Sequence, residues 1–150
     1  MKSSLFPDVN VWLALTHARH AHHLRAAKWF ESLTGETLFF CRFTQIGLLR
    51  LLTSEVVMGT DVMGRRAAWQ ACRRWLDDER IEFHREPESG EFDRRFQDLS
   101  TRPHASPKLW ADVYLAAFAR TAGLTIVTFD RALGQMASSA ATVLSVNPGQ

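Results

Sequence analysis

One run of this chain admits very few structural settings. From Leu109 to Ala119 it reads Leu-Trp-Ala-Asp-Val-Tyr-Leu-Ala-Ala-Phe-Ala, with Asp112 as its single charged residue. Ala and Leu favour helix, Pro107 suits a first turn, and Gly123 suits a C-terminal cap, which predicts a helix within residues 106–123. A helix apolar on nearly every side belongs inside a protein. A buried, unpaired carboxylate is costly, so Asp112 needs a partner, a proton or a metal ion.

The rest of the chain alternates short apolar strands with helical patterns. Ser3–Phe6 is a strand candidate stopped by Pro7, and Asp8 follows at once. A helix then runs through Val9, Val11, Trp12, Leu13 and Leu15, and a second contains Leu24, Ala27, Trp29, Phe30 and Leu33. Thr37–Cys41 is a buried-strand candidate, and Thr44 is expected to cap a helix carrying Ile46, Leu48, Leu49, Leu51 and Leu52. Val62–Leu76 reads as a longer helix, Ile81–His84 as a strand and Phe92–Leu99 as a helix. Leu124–Phe129 is the clearest strand, ending at Asp130; residues 131–136 can start a helix, and Thr142–Val146 is a last strand. This order predicts an α/β domain with a mostly parallel sheet covered on both faces.

At 150 residues the chain is expected to be one domain over residues 1–150, with 146–150 as a loose tail. Its 46% hydrophobic and 23% charged residues suit a globular protein in water. The net charge of +2 neither requires nor excludes nucleic acid, although only three of the eighteen basic residues are lysine. Cys41 and Cys72 read as reduced core thiols of a cytoplasmic protein. No apolar run approaches the roughly 18 residues of a membrane span, and the N-terminus lacks a signal-peptide core.

In a parallel sheet, ligands bind beyond the carboxyl ends of the strands. Asp8 and Asp130 each follow a strand there, and Asp112 would reach the same edge from its helix. Asp8 and Asp130 also read as simple helix caps, and Asp112 as the partner of a buried arginine. Three converging carboxylates raise one another's pKa unless a cation neutralises them. Oxygen-only ligands favour Mg²⁺ or Mn²⁺ over zinc, and such an ion suits phosphodiester hydrolysis.

The segments DVNVWLAL (8–15), WADVYLAAFA (110–119) and TIVTFDRAL (125–133) resemble, in this order and spacing, the PIN-domain ribonucleases, and more narrowly the VapC toxins of type II toxin–antitoxin systems. The resemblance implies a three-layer PIN-like α/β/α domain and a Mg²⁺- or Mn²⁺-dependent endoribonuclease. It makes Asp8, Asp112 and Asp130 the catalytic and metal-holding acids, with Asn10 and Thr128 as supporting polar residues. It also implies an RNA substrate, a cognate antitoxin protein and a homodimer; the lack of a long apolar run adds the expectation of no membrane association. One departure stands out. The family commonly carries Glu in the helix after the second strand, where this chain has Gln45 within TQIGLLRLLT. An amide can hold a metal-bound water but adds no negative charge. A weaker site filled mainly by Asp8 and Asp112 is therefore expected, unless Glu86, Glu91 or Asp93 substitutes.

Other features have plainer readings. The histidine-rich residues 17–23 read as a solvated helix junction, lacking the spaced ligands of a zinc site. Arg65–Arg66 and Arg73–Arg74 read as a solvated face with RNA backbone contact as the alternative. Arg50 reads either as leaning toward the acids or as a surface ion pair. The tryptophans read as core, with some of Trp29, Phe30, Trp69 and Trp75 also available to a dimer or antitoxin surface. Two functional alternatives remain: a non-catalytic antitoxin-binding module whose site has lapsed at Gln45, and a haloacid-dehalogenase-type phosphatase using Asp8. The latter chemistry wants a second Asp where this chain has Asn10.

Overall fold

Short β-branched and aromatic runs make the sheet: β1 (Ser4–Pro7), β2 (Thr37–Phe40), β3 (Ile81–Phe83), β4 (Thr125–Thr128) and β5 (Ala141–Val143). They come from a computed structural model that describes residues 3–103 and 109–144. Every pairing is parallel, in the order β3-β2-β1-β4-β5. Parallel neighbours need long crossovers, and helices supply them. α1 (Val9–Thr16) and α2 (His23–Glu31) lead from β1 to β2. α3 (Arg42–Leu52), α4 (Glu55–Met58) and α5 (Arg65–Leu76) lead to β3. α6 (Gly90–Ser100) and α7 (Leu109–Ala122) lead to β4, and α8 (Arg131–Ala137) leads to β5.

Because strand side chains alternate, each strand feeds two cores. Leu5, Leu38, Phe40 and Val127 pack with α1, α2, α3 and α5 on one face, where the Trp12 ring stacks on Phe40 at 3.8 Å. Phe6 and Ile126 pack with α6, α7 and α8 on the other, where Phe6 stacks on Phe118 at 4.8 Å. Helices on both faces of a parallel sheet make the three-layer α/β/α architecture that the alternating pattern predicts. Trp12 is fully buried, so Trp12→Ala should cost roughly 3–5 kcal/mol.

The differences from expectation are local. Strands β2, β3 and β4 stop one residue early, as does the describable part of the last, since Val146 lies outside the described residues. Thr44 does not cap α3. Cys41 holds the N-cap position, and the Thr44 hydroxyl, one turn in, accepts a hydrogen bond from Cys41 N at 3.0 Å. The helix expected from Val62 starts at Arg65, and α4 with a 3-10 turn at Gly59–Asp61 precedes it. Both cysteines are free and buried. Pro107 lies outside the described residues, and α7 begins at Leu109.

Candidate active site

The chain starts at the centre of its own sheet, moves outward through β2 and β3, then returns to lay β4 on the other side of β1. Connections that diverge from adjacent strands leave a crevice at their carboxyl ends. β1 and β4 form that switch point. Pro7 pairs with Val127, and the next backbone amide, Asp8 N, still donates to Val127 O at 3.0 Å. The ladder therefore delivers Asp8 to the crevice, and Asp130 arrives two residues beyond the end of β4.

Both acids cap helices, as their plainer reading had it. Asp8 Oδ1 accepts from Val11 N at 3.0 Å, and its Oδ2 accepts from the Thr128 hydroxyl at 2.5 Å. That same hydroxyl accepts from Asp130 N at 2.9 Å. Asp130 Oδ1 caps α8 through Ala132 N at 2.8 Å. Burial pushes the Asp8 carboxyl up to about 6, and the charge of Asp130 adds to the rise, against hydrogen bonds from Thr128 and Val11 that pull it down. Asp112, in the first turn of α7, is half-buried rather than enclosed in the core.

A cavity of about 400 Å³ joins these acids. Asp8, Asn10, Asp112 and Asp130 all border it, and so do Phe43, Ile46, Gly47 and Arg50, which form an α3 wall. Those four positions fall at i, i+3, i+4 and i+7 of α3, one stripe of that helix. Gly47 is what lets the wall stand so near. A Cβ there would lie 2.6 Å from Val9 Cγ2, in the first turn after Asp8.

The acids meet around one cavity without being drawn to one point. Among the described residues, no three His, Cys, Asp or Glu side chains lie close enough to hold a metal ion together. The donor set nevertheless fits a hard cation. It is all oxygen, and the raised pKa of Asp8 is that of a buried carboxylate lacking a counter-charge. Mg²⁺ characteristically takes one or two carboxylates and keeps several waters.

Gln45 does not do what was expected of it. It is buried, its Oε1 accepts from Arg42 Nη1, and it stands outside the cavity wall. Residue 45 is rotated by about 100° from residue 46 around the helix. Glu86 accepts from the Tyr114 hydroxyl at 2.7 Å and Glu91 pairs with Arg95 at 2.6 Å; neither they nor Asp93 borders the cavity. His17, His20 and His22 make edge-on and tilted ring contacts at 6.5 and 5.6 Å, and His23 Nδ1 bonds Ala14 O at 2.7 Å. Two contributors escaped the sequence reading, Phe43 and Gly47. An isolated glycine inside an otherwise helical run was the available signal for the second.

The model of the PIN domain matches residues 5–138. The chain belongs to the PIN-domain family. It is 38% identical over 135 residues to Ribonuclease VapC41 of Mycobacterium tuberculosis, covering 87% of this chain and 92% of the relative. Among solved PIN-like structures, it resembles M. tuberculosis VapC20, described as a sarcin-ricin loop cleaving toxin. The TM-score is 0.63 at 18% identity, over 88% of this chain and 94% of the other. It also resembles a chain of VapBC2 from Rickettsia felis, solved on a promoter DNA fragment. There the TM-score is 0.64 at 10% identity, over 94% and 98% of the two chains. At such identities the structural likeness shows the PIN fold. Ribonucleases of this family generally use a divalent metal, and with the family established the phosphatase alternative falls away.

Proposed function

We propose that this PIN-domain chain is an endoribonuclease, the toxin of a type II toxin–antitoxin pair, acting with Mg²⁺ or Mn²⁺. The observation that carries this reading is the cavity at the β1/β4 switch point, bordered by Asp8, Asp112 and Asp130 from three distant segments. Kinship to a named ribonuclease at 38% identity supports it. A divalent ion, when bound, supplies Lewis-acid polarisation of a phosphate and a more acidic water. Asp8 and Asp112 are the residues to hold it. Thr128 and Val11 N keep Asp8 in one orientation, and Asp130, with Oδ1 occupied by the α8 cap, keeps Oδ2 for ordering a water.

The partner calls follow from the same kinship. Ile46 and Trp69 border one groove between α3 and α5, and Val56, Val57 and Val62 are exposed on the segment between those helices, apolar surface suited to a protein partner. We assign it to a cognate antitoxin, and expect a homodimer by size-exclusion chromatography. No helix among the described residues is long and apolar enough to cross a membrane.

One observation favours a second reading, a non-catalytic antitoxin-binding module: the absence, among the described residues, of a ready three-carboxylate cluster. Mn²⁺ calorimetry on wild type and Asp112→Asn, beside cleavage of a mixed RNA pool, decides between them. The nuclease reading requires Mn²⁺ binding that weakens in the variant and cleavage that stops in EDTA. Cleavage that persists in EDTA overturns the metal assignment, and a chain that neither binds Mn²⁺ nor cuts RNA but still binds the antitoxin is the module.

A further inference from the structure

Among the described residues that border the cavity, one is a cation, Arg50 on the α3 wall, and the nuclease chemistry described above does not use it. Arg50 lies in the last turn of α3, exposed, on the same stripe as Phe43, Ile46 and Gly47. The four ion pairs among the described residues use Arg19, Arg80, Arg95 and Arg102, and Arg50 is in none of them. A guanidinium that lines an acidic cavity without closing an ion pair is positioned for a ligand that enters there.

The electrostatics say which ligand. Asp8, Asp112 and Asp130 bring up to three negative charges, which one divalent ion offsets only in part. A phosphodiester strand approaching that cavity is repelled unless the wall carries positive charge. Arg50 supplies it, and its planar fork matches two phosphate oxygens at once. At the other end of the stripe, about 10 Å along the helix axis, Phe43 is 38% exposed, with its ring supported by Tyr114 at 5.1 Å. A supported, exposed aromatic beside a phosphate site is what an unpaired base stacks on.

We propose that the outer stripe of α3 is the substrate-binding wall of the cavity, where Arg50 holds a phosphate of single-stranded RNA and Phe43 stacks an adjacent base. This rests on the nuclease reading for its substrate class, and its test does not require turnover. The resulting specificity would be for an unpaired strand, since a duplex offers no free base face to Phe43.

The experiment measures binding of a labelled single-stranded RNA of mixed sequence by anisotropy, over a series of salt concentrations, in the full chain carrying Asp112→Asn so that no cutting occurs. Adding Arg50→Ala should weaken binding roughly tenfold and reduce the slope of log affinity against log salt by about 0.7, the share of one phosphate contact in a single strand. Arg50→Lys should restore the slope. Phe43→Leu should weaken binding several-fold with the slope unchanged, because stacking releases no counterions. Thermal melts confirm that each variant is folded; both positions are exposed, so little change is expected. Binding and slope unaltered by Arg50→Ala overturn the proposal, as does equal weakening by Arg50→Lys and Arg50→Ala. If the chain with Asp112 intact binds RNA through Arg50 yet never cuts it, the nuclease reading fails and the binding wall stands.

Discussion

The Thr128 hydroxyl donates to Asp8 Oδ2 at 2.5 Å across 120 positions of sequence, and accepts from Asp130 N at 2.9 Å. One fully buried hydroxyl therefore ties both strand-end acids together. Thr128→Val keeps the shape and removes both bonds, leaving Asp130 N and a buried carboxylate oxygen without this partner. The expected loss is roughly 1–3 kcal/mol in urea denaturation. The Asp8 carboxyl also loses the strongest influence holding its pKa down, so the pH at which cleavage switches on should move upward. Thr128→Ser should recover both properties; an unchanged pH profile in the valine variant would show that the hydroxyl is only packing.

Asp8 is expected to weaken the fold that carries it. Its carboxyl sits at about 6 instead of 3.8, so the folded chain binds this proton more tightly than the unfolded chain does. The contribution of Asp8 to stability is then greatest below about pH 4, falls as pH rises from about 4 to about 6, and is flat above. Two pKa units correspond to roughly 3 kcal/mol. Asp8→Asn removes the buried charge while keeping an oxygen to cap α1. It should raise the melting temperature at pH 7.5 by several degrees and flatten the pH dependence between 4 and 6. Added Mn²⁺ should stabilise wild type at pH 7.5 and leave Asp8→Asn unmoved. A variant less stable than wild type at pH 7.5 would contradict the assignment of the raised pKa to burial.

Gly47 sets the distance between the α3 wall and the acids. Alanine normally improves a helix by about 1 kcal/mol over glycine, yet here its Cβ would meet Val9 Cγ2 at 2.6 Å. We expect Gly47→Ala to cost about 1–3 kcal/mol net and to reduce cleavage, because α3 must back away from the turn that holds Asp8. Val9→Ala in the same chain should recover most of both losses, a coupling that a double-mutant cycle reads directly. Independent, additive effects of the two substitutions would place the clash elsewhere.

The sheet and its acids were legible because they rest on local signals. Leu124–Phe129 is apolar and β-branched, and an aspartate follows each of the two strands at the switch point; Pro7, expected to stop β1 after Phe6, instead forms its last residue, paired with Val127. The three acids border one cavity, but among the described residues they do not form the single converged cluster that their places in the alternation implied. What stayed hidden depends on rotation about helices and on contacts distant in sequence. Nothing local says that α3 turns residue 46 toward the cavity and residue 45 away, so Gln45 was given a role that its bond to Arg42 removes. The apolar run around Asp112 suggested full burial, but the first turn of α7 lies near the surface, where Trp110 is 63% exposed. Thr44 looked like a cap because threonine caps helices; the cap position belongs to Cys41, whose backbone amide the threonine reaches back to satisfy.

Asp112 gives the sharpest test in cells. It is the one acid of the three on a helix rather than beyond a strand, and it is half-buried. Asp112→Asn is isosteric at a position with solvent access, so stability should stay within about 1 kcal/mol of wild type. Removing a charge that acts on the reacting phosphate commonly costs about 100-fold or more in rate. Induced expression of wild type should therefore arrest growth, and Asp112→Asn at the same protein level should not. Co-expression of the antitoxin should relieve the arrest, and the antitoxin should still bind the variant, because the apolar patch on α3 to α5 is untouched. Growth arrest that survives Asp112→Asn would separate toxicity from the acidic cavity and leave antitoxin binding as the function the fold supports.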